Sequence, residues 1–312
     1  MSHAVLKVNQ STIQQMKNHY KLGLGSKVPA GAAFTAKIEG CTITAYHTGK
    51  VLFQGKNGEV EAKKWGASLP SKAKNGSPKT KTSGAPLPEN IAALSLIGSD
   101  EVGTGDYFGP ITVVSAYVEK KQIPLLKELG VKDSKNLSDP QIISIAKELL
   151  KFLPYSLLTL SNQKYNEWQA KGMSQGKMKA LLHNQAIQNV LVKIEPEIPE
   201  AILIDQFVEA STYYKHIQGQ KKIIKERVYF STKGESIHIA VAAASILARY
   251  AFLKAMDALS QKAGFTIPKG AGPAVDKAAA RLISEKGVGA LTEFTKLHFA
   301  NTDKAKRIIN LK

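Results

Sequence analysis

From residue 91 onward the hydrophobic pattern alternates between two periods, and this alternation restricts the fold more than any other feature of the chain. Apolar runs at 94–99, 111–118, 155–160, 201–204 and 228–230 are short and read as strands, the second being especially rich in β-branched residues. Segments 139–152, 176–193 and 236–260 carry helical patterns. The first of these opens at Asp139-Pro140, where a helix tolerates proline because the missing N–H has no intrahelical partner. Strands interleaved with helices predict an α/β layer architecture around a mixed sheet.

The first 65 residues follow a different plan. A helix is expected over 11–21, with Ser11 as its cap, followed by strands at 32–39, 41–46 and 51–54. Turns at Gly40 and at Thr48-Gly49-Lys50 separate the strands, so the segment reads as a small α+β meander. Phe34 and Phe53 are expected in its core, while Tyr46 is open to either a core or a surface role. The segment holds nine lysines against three acidic residues, and Lys37, Lys50 and Lys56 are its candidate phosphate contacts. Between 66 and 90 the composition shifts to Pro, Ser, Gly, Thr and Lys, which predicts a flexible basic linker. The expected organisation is therefore a basic domain at 1–65, a linker at 66–90 and an α/β domain at 91–312.

Charge narrows the choice of partner. Lys and Arg number 43 against 25 Asp and Glu, a formal net charge of +18, and so basic a chain attracts polyanions, nucleic acid first among them. The single cysteine, Cys41, excludes an intramolecular disulfide and any cysteine-rich zinc site. It falls in an alternating apolar run and is expected in the core. The first ten residues lack the pattern of a secretion signal. The longest apolar stretch, 237–247, is bounded by Arg249 and falls short of the roughly 20 residues that span a bilayer. A soluble, cytoplasmic protein with no membrane partner is expected, acting as a monomer.

The candidate chemistry lies where strands meet carboxylates. Leu96-Ile97-Gly98-Ser99 runs into Asp100-Glu101 and then Val102-Gly103-Thr104-Gly105-Asp106. Adjacent acids repel, and Mg²⁺ is the hard cation suited to oxygen ligands. A purely structural alternative is an acidic loop start followed by a tight glycine turn. Ala201-Ile202-Leu203-Ile204 likewise ends in Asp205, which could equally cap the next turn. Glu235 stands beside Ser236, the expected N-cap of the long helix, where the helix dipole alone would favour an acid. Brought together, these four carboxylates could hold two Mg²⁺ ions and hydrolyse a phosphodiester with no nucleophilic side chain. Asp106 and Asp133 read as loop residues, and His238 as a core or supporting residue rather than a ligand.

In order along the chain, Asp100-Glu101-Val102-Gly103-Thr104-Gly105, Lys132-Asp133-Ser134-Lys135, Asp205, Lys233-Gly234-Glu235-Ser236 and the run from Ala242 to Arg249 resemble the type 2 ribonucleases H. Three features make the chain more similar to the bacterial ribonuclease HIII branch than to HII. The turn is Gly-Thr-Gly rather than Gly-Arg-Gly, the fourth acid is Glu235 rather than Asp, and a basic domain precedes the rest. The resemblance implies an RNase H-like fold behind a TATA-binding-protein-like domain that binds substrate. It also implies endonucleolytic cleavage of the RNA strand of RNA–DNA hybrids, leaving 5′-phosphate and 3′-hydroxyl ends, with Mg²⁺ or Mn²⁺ as cofactor. Asp100, Glu101, Asp205 and Glu235 would be the catalytic, metal-binding acids. The backbone of Gly103, Thr104 and Gly105 would meet ribose 2′-hydroxyls, and Ser134 and Lys135 would hold phosphate. The alternatives are an HII-like enzyme nicking at single ribonucleotides in DNA and a non-catalytic hybrid binder.

Overall fold

In the computed structural model, which describes residues 3–26, 28–29, 32–66 and 82–310, the chain divides after Lys79 into two units. The first contains β1 (His3–Lys7), α1 (Gln10–His19), β2 (Ala32–Ile38), β3 (Cys41–Tyr46), β4 (Lys50–Gln54) and α2 (Gly58–Lys63). Its sheet has the order β1-β4-β3-β2 with all neighbours antiparallel. The expected meander is present, and β1 adds a fourth strand that pairs with β4. That strand is five residues with two small inward contacts, Ala4 and Leu6, so its period of two is barely expressed in the sequence. Phe34, Phe53 and Cys41 are buried as expected. The helix cap is Asn9 rather than Ser11: Asn9 Oδ1 accepts from Thr12 N at 2.8 Å, and Ser11 Oγ donates to the same oxygen. A buried Tyr20 hydroxyl donates to Glu61 Oε1 at 2.8 Å and accepts from Trp65 Nε1 at 2.6 Å, tying α2 to the end of α1.

Among the described residues the second unit is built on six strands: β5 (Thr82–Ser83), β6 (Leu96–Val102), β7 (Ile111–Val118), β8 (Tyr155–Leu160), β9 (Ala201–Asp205) and β10 (Val228–Ser231). Their order is β5-β10-β9-β6-β7-β8. β6, β7 and β8 form an antiparallel meander, β9 and β10 join parallel to β6, and β5 closes the edge antiparallel to β10. Of the linker expected at 66–90, residues 67–81 lie outside the described residues. Residues 82–90 belong to the second unit, because Thr82 and Ser83 pair with Ser231 and Phe230. Two-residue strands have no periodicity to detect, which is why this one read as linker.

Around the sheet lie α3 (Ile123–Glu128), α4 (Asp139–Leu149), α5 (Asn162–Ala170), α6 (Gln175–Ile194), α7 (Ala210–Ile217), α8 (Gly234–Ile237), α9 (Ile239–Ala263), α10 (Pro273–Lys286), α11 (Leu291–Phe294) and α12 (Asn301–Ile308). On one face α9 and α4 pack on Leu96, Val114, Ala116 and Leu203. On the other, α6 and α7 pack on Ile97, Tyr117, Ile202 and Ile204. Alternate residues of β6 therefore serve opposite layers, as the strand's period of two requires. All eight residues of β7 are buried, which is why it read as a continuous apolar run rather than an alternating one.

The long helix does not start at Ser236. α8 ends at Ile237, His238 takes an extended conformation at φ −140, and α9 begins at Ile239. His238 caps α9 by accepting from Ala240 N on Nδ1 at 3.0 Å, and its Nε2 donates to Leu94 O at 3.1 Å. That pattern requires the neutral ring, and burial pushes its pKa down to about 4. This places His238 in a supporting role. By length and composition α9 could cross a membrane, which corrects the expectation that no apolar stretch is long enough. Its apolar residues from Ala240 to Ala248 are instead buried against the sheet.

β6 and α9 approach each other backbone to backbone. A Cβ on Gly98 would sit 2.2 Å from Val241 N and 2.3 Å from Ala240 C, both backbone atoms that no rotamer change can move. Small residues along α9, Ala240, Ala242, Ala243 and Ala244, make this approach possible. Gly98→Ala is expected to destabilise the protein by at least about 3 kcal/mol, roughly 10 °C in Tm. A wild-type melting temperature would show that α9 can retreat from β6.

Candidate active site

Asp100 and Glu101 are not a side-by-side pair at a strand end. β6 continues through both to Val102, pairing Asp100 with Val114 and Glu101 with Val113. Neighbours on a strand point to opposite faces. Asp100 is turned toward α9, where Ser245 hydrogen-bonds it. Glu101 is turned toward α6: Lys179 Nζ lies 2.7 Å from Oε1 and His183 Nε2 3.0 Å from Oε2. His183 is fully buried, and its Nδ1 lies 2.7 Å from Ser99 Oγ.

Asp205 ends β9, one strand over, and its Oδ1 accepts from Gly234 N at 2.7 Å. That bond anchors the turn into α8, in which Lys233 adopts a left-handed conformation at φ 61. Glu235 follows and is buried. Its Oε1 is 2.5 Å from Lys135 Nζ, and Ser245 Oγ donates to Oε2 at 3.4 Å. Ser245 also lies 2.9 Å from Ser134 Oγ. One hydroxyl on α9 thus touches both Asp100 and Glu235, so the two strand-borne acids of this face and the helix-borne acid share a single surround.

The four carboxylates differ in their electrostatic surroundings. Burial, followed by the charges of Asp205 and Glu101, holds Asp100 well above the usual carboxylate range. Burial also raises Asp205, with Glu101 adding to it and the Gly234 N–H opposing. Burial raises Glu235, and Lys135 offsets part of that. Burial alone would raise Glu101 too, yet the hydrogen bond and charge of His183, with Lys179, outweigh it and hold this carboxylate low. The oxygen-only donor set and the excess negative charge around Asp100 and Asp205 suit a hard divalent cation. Among the described residues no three His, Cys, Asp or Glu side chains are arranged to hold an ion as they stand. Glu101 and Glu235 are engaged with Lys179 and Lys135 instead.

Beyond β6 the Gly103-Thr104-Gly105 turn has two glycines with different reasons to be glycine. Gly103 has φ +97, and a Cβ there would fall 2.1 Å from Pro110 O and 3.1 Å from the Phe252 ring. Gly105 is exposed, and a Cβ there would meet nothing within 4 Å. Thr104 O accepts from Gln175 Nε2 at 3.1 Å, while its Oγ1 is buried without a hydrogen-bond partner. The following residues are pinned from the C-terminal segment. Asp106 Oδ1 accepts from Gly270 N at 2.6 Å, consistent with a loop role. Lys296, fully buried, donates to Asp106 O at 2.7 Å and Gly109 O at 2.5 Å, and burial drives its pKa down to about 7.

Ser134 and Lys135 lie in a short turn that Asp133 caps through Lys135 N at 2.9 Å. Ser134 is buried and its carbonyl accepts from Arg249 Nη1, whereas the Lys135 side chain is 74% exposed. Sequence reasoning missed Lys179, His183, Ser245 and Lys296. The first two carried a signal, a lysine and a histidine four apart on one face of a helix. Ser245 was hidden in a run of small residues. Lys296 stands in a polar stretch that reads as surface.

The chain is similar to known proteins along its whole length. The sequence profile of the family described as Ribonuclease HII matches residues 97–302, and that of a domain of unknown function, DUF3378, matches 3–78. Ribonuclease HIII of Bacillus subtilis (strain 168) is 62% identical over 312 residues, covering 100% of this chain and 99% of the relative. Ribonuclease HIII of Bacillus licheniformis is 63% identical over 310 residues, 99% of each chain. Among solved structures, Bst-RNase HIII in complex with Mn²⁺ is 45% identical, with a TM-score of 0.70 over 98% of this chain and 99% of that one.

The two glycines separate internal strain from external contact. Gly103→Ala is expected to lower stability by about 1–3 kcal/mol, and Gly105→Ala to stay within about 0.5 kcal/mol of wild type. Denaturant unfolding of both variants checks this. Equal losses would mean that the turn, not an outside partner, needs both glycines.

Proposed function

The chain belongs to the ribonuclease HIII family, and on that premise we propose that it cleaves the RNA strand of RNA–DNA hybrids endonucleolytically at Asp100, Glu101, Asp205 and Glu235, leaving 5′-phosphate and 3′-hydroxyl ends. The observation that carries this assignment is the surround shared by Asp100, Asp205 and Glu235, in which Asp100 is buried among like charges, with Glu101 next to it on the opposite face of β6. Perturbation of that kind marks a site built for a cation rather than for stability.

The cofactor is Mg²⁺ or Mn²⁺, and the four carboxylates would hold it as a two-ion site. When bound, it supplies a Lewis acid for the phosphate and lowers the pKa of a bound water. The protein's own groups do the positioning. Ser245 links Asp100 to Glu235 and keeps both under α9. Lys135, with a largely exposed side chain paired through Nζ to Glu235, is placed to hold a substrate phosphate. Ser134 supports it from beneath, its hydroxyl already engaged with Ser245. The turn Gly103-Thr104-Gly105 presents backbone to the ribose 2′-hydroxyl, the group that separates RNA from DNA. The open space at Gly105 supports that reading, since nothing inside the protein needs a glycine there.

The first unit supplies affinity for the hybrid. One face of its sheet is covered by the core, and the other carries Lys7 and Lys50 directly opposite each other, with Lys37 on the same face. Like charges in register are unfavourable by themselves, and a phosphate backbone would relieve them. The protein is read as acting on the hybrid as a monomer in the cytoplasm, its one cysteine buried and unpaired.

Asp100→Asn should reduce metal-dependent cleavage of a hybrid by at least about a thousandfold, with metal-free hybrid binding retained. The metal-free variant should also melt higher than wild type, because a neutral amide replaces a carboxylate disfavoured by burial and by Asp205. Undiminished cleavage would sink the site assignment. Efficient nicking of duplex DNA at a single ribonucleotide would move the substrate toward that of ribonuclease HII. Removing residues 1–79 should raise KM about tenfold or more while kcat changes little; the opposite split would place the first unit in the chemistry.

A further inference from the structure

Two ammonium groups stand on the acids of the site, and they differ in freedom. The Lys135 side chain is 74% exposed, so it can leave Glu235 for a phosphate or solvent. The Lys179 side chain is 9% exposed and has nowhere to go. Its Nζ is 2.7 Å from Glu101 Oε1 and 4.2 Å from the centroid of the Phe207 ring. The same ring stacks on His183, with centroids 5.1 Å apart, and His183 holds the other Glu101 oxygen. Phe207 therefore backs both groups that grip Glu101.

A buried ion pair is costly unless its geometry is good and its remaining polar atoms are satisfied. Here both carboxylate oxygens have a donor, and the ammonium has a carboxylate on one side and an aromatic face on the other, a favourable cation–π arrangement. Such an arrangement is more than is needed to pack α6 against β6, where an apolar pair would serve at lower cost.

We propose that Lys179 is a resident counter-cation of the metal site: it holds the Glu101 carboxylate in place in the metal-free protein, and it competes with a divalent cation for the same carboxylate oxygen. The inference rests on the reading of Glu101 as a metal-binding acid. It means that the free enzyme binds metal weakly by design. Even with the dielectric constant of water, a fixed unit charge about 5 Å from a divalent ion weakens its binding by more than tenfold.

Mn²⁺ titration of the full-length protein without nucleic acid, followed calorimetrically and by the electron paramagnetic resonance signal of free Mn²⁺, tests this. Lys179→Met is expected to bind Mn²⁺ at least about tenfold tighter than wild type, and Lys179→Arg to stay near wild type. Should the methionine variant not fold, Lys179→Gln, neutral but still able to donate to Glu101, carries the same expectation. Unchanged or weaker Mn²⁺ affinity in a folded neutral variant would overturn the proposal while leaving the site assignment standing. Failure of the wild-type protein to bind Mn²⁺ under any condition would overturn both.

Discussion

The approach of α9 to β6 at Gly98 is the contact on which the larger unit depends. With backbone against backbone there, the helix lies low enough for Ser245 to reach both Asp100 and Glu235. A helix set one side chain higher would leave Asp100 beneath a gap and Glu235 without its hydroxyl donor. The alanines of α9, which contribute little transfer free energy individually, are the residues that allow this distance. Packing and function are therefore the same requirement at this interface, and the unit trades bulk in its core for position at its site.

That position has an electrostatic consequence. Acids brought together under a helix and away from water cannot all ionise comfortably, and the structure distributes the difficulty unevenly. Glu101 faces α6 and is held low by His183 and Lys179. Asp100 faces α9 and among the described residues has a hydroxyl and a backbone donor, Ser245 and Glu101 N, against burial and two neighbouring charges. The period of two along β6 produces this difference, because it sends consecutive acids to layers with different partners. The metal-free protein is balanced on one face of its sheet and short of positive charge on the other.

Recognition follows a similar division. Gly103 is required by the protein's own turn, whereas nothing internal requires Gly105, so two glycines in one short turn serve folding and contact separately. Behind the turn, Lys296, with no carboxylate partner among the described residues, sets its buried amino group on two backbone carbonyls, an expensive way to fasten a loop. The expense is understandable where the loop must present its backbone in one conformation.

Much of this was legible before the structure. The alternation of strand and helix periods, the break in composition after residue 65 and the order of the acids along the chain are local properties, and local periodicity reports them directly. They sufficed for the architecture, the small meander and the identities of Asp100, Asp205 and Glu235 as residues of interest. The short strands β1 and β5 escaped because too few residues express their period. The cap of α9 escaped because His238 and Ser236 are separated only by how Leu94 is placed. What tertiary structure alone decided is which groups meet: that adjacent acids point apart, that Lys179 stands on one and Ser245 on another, and that Lys296 is buried. Those facts depend on residues far apart in sequence being brought within hydrogen-bonding distance. A strand pattern says which way a side chain points, and only the packed layers say what it finds there.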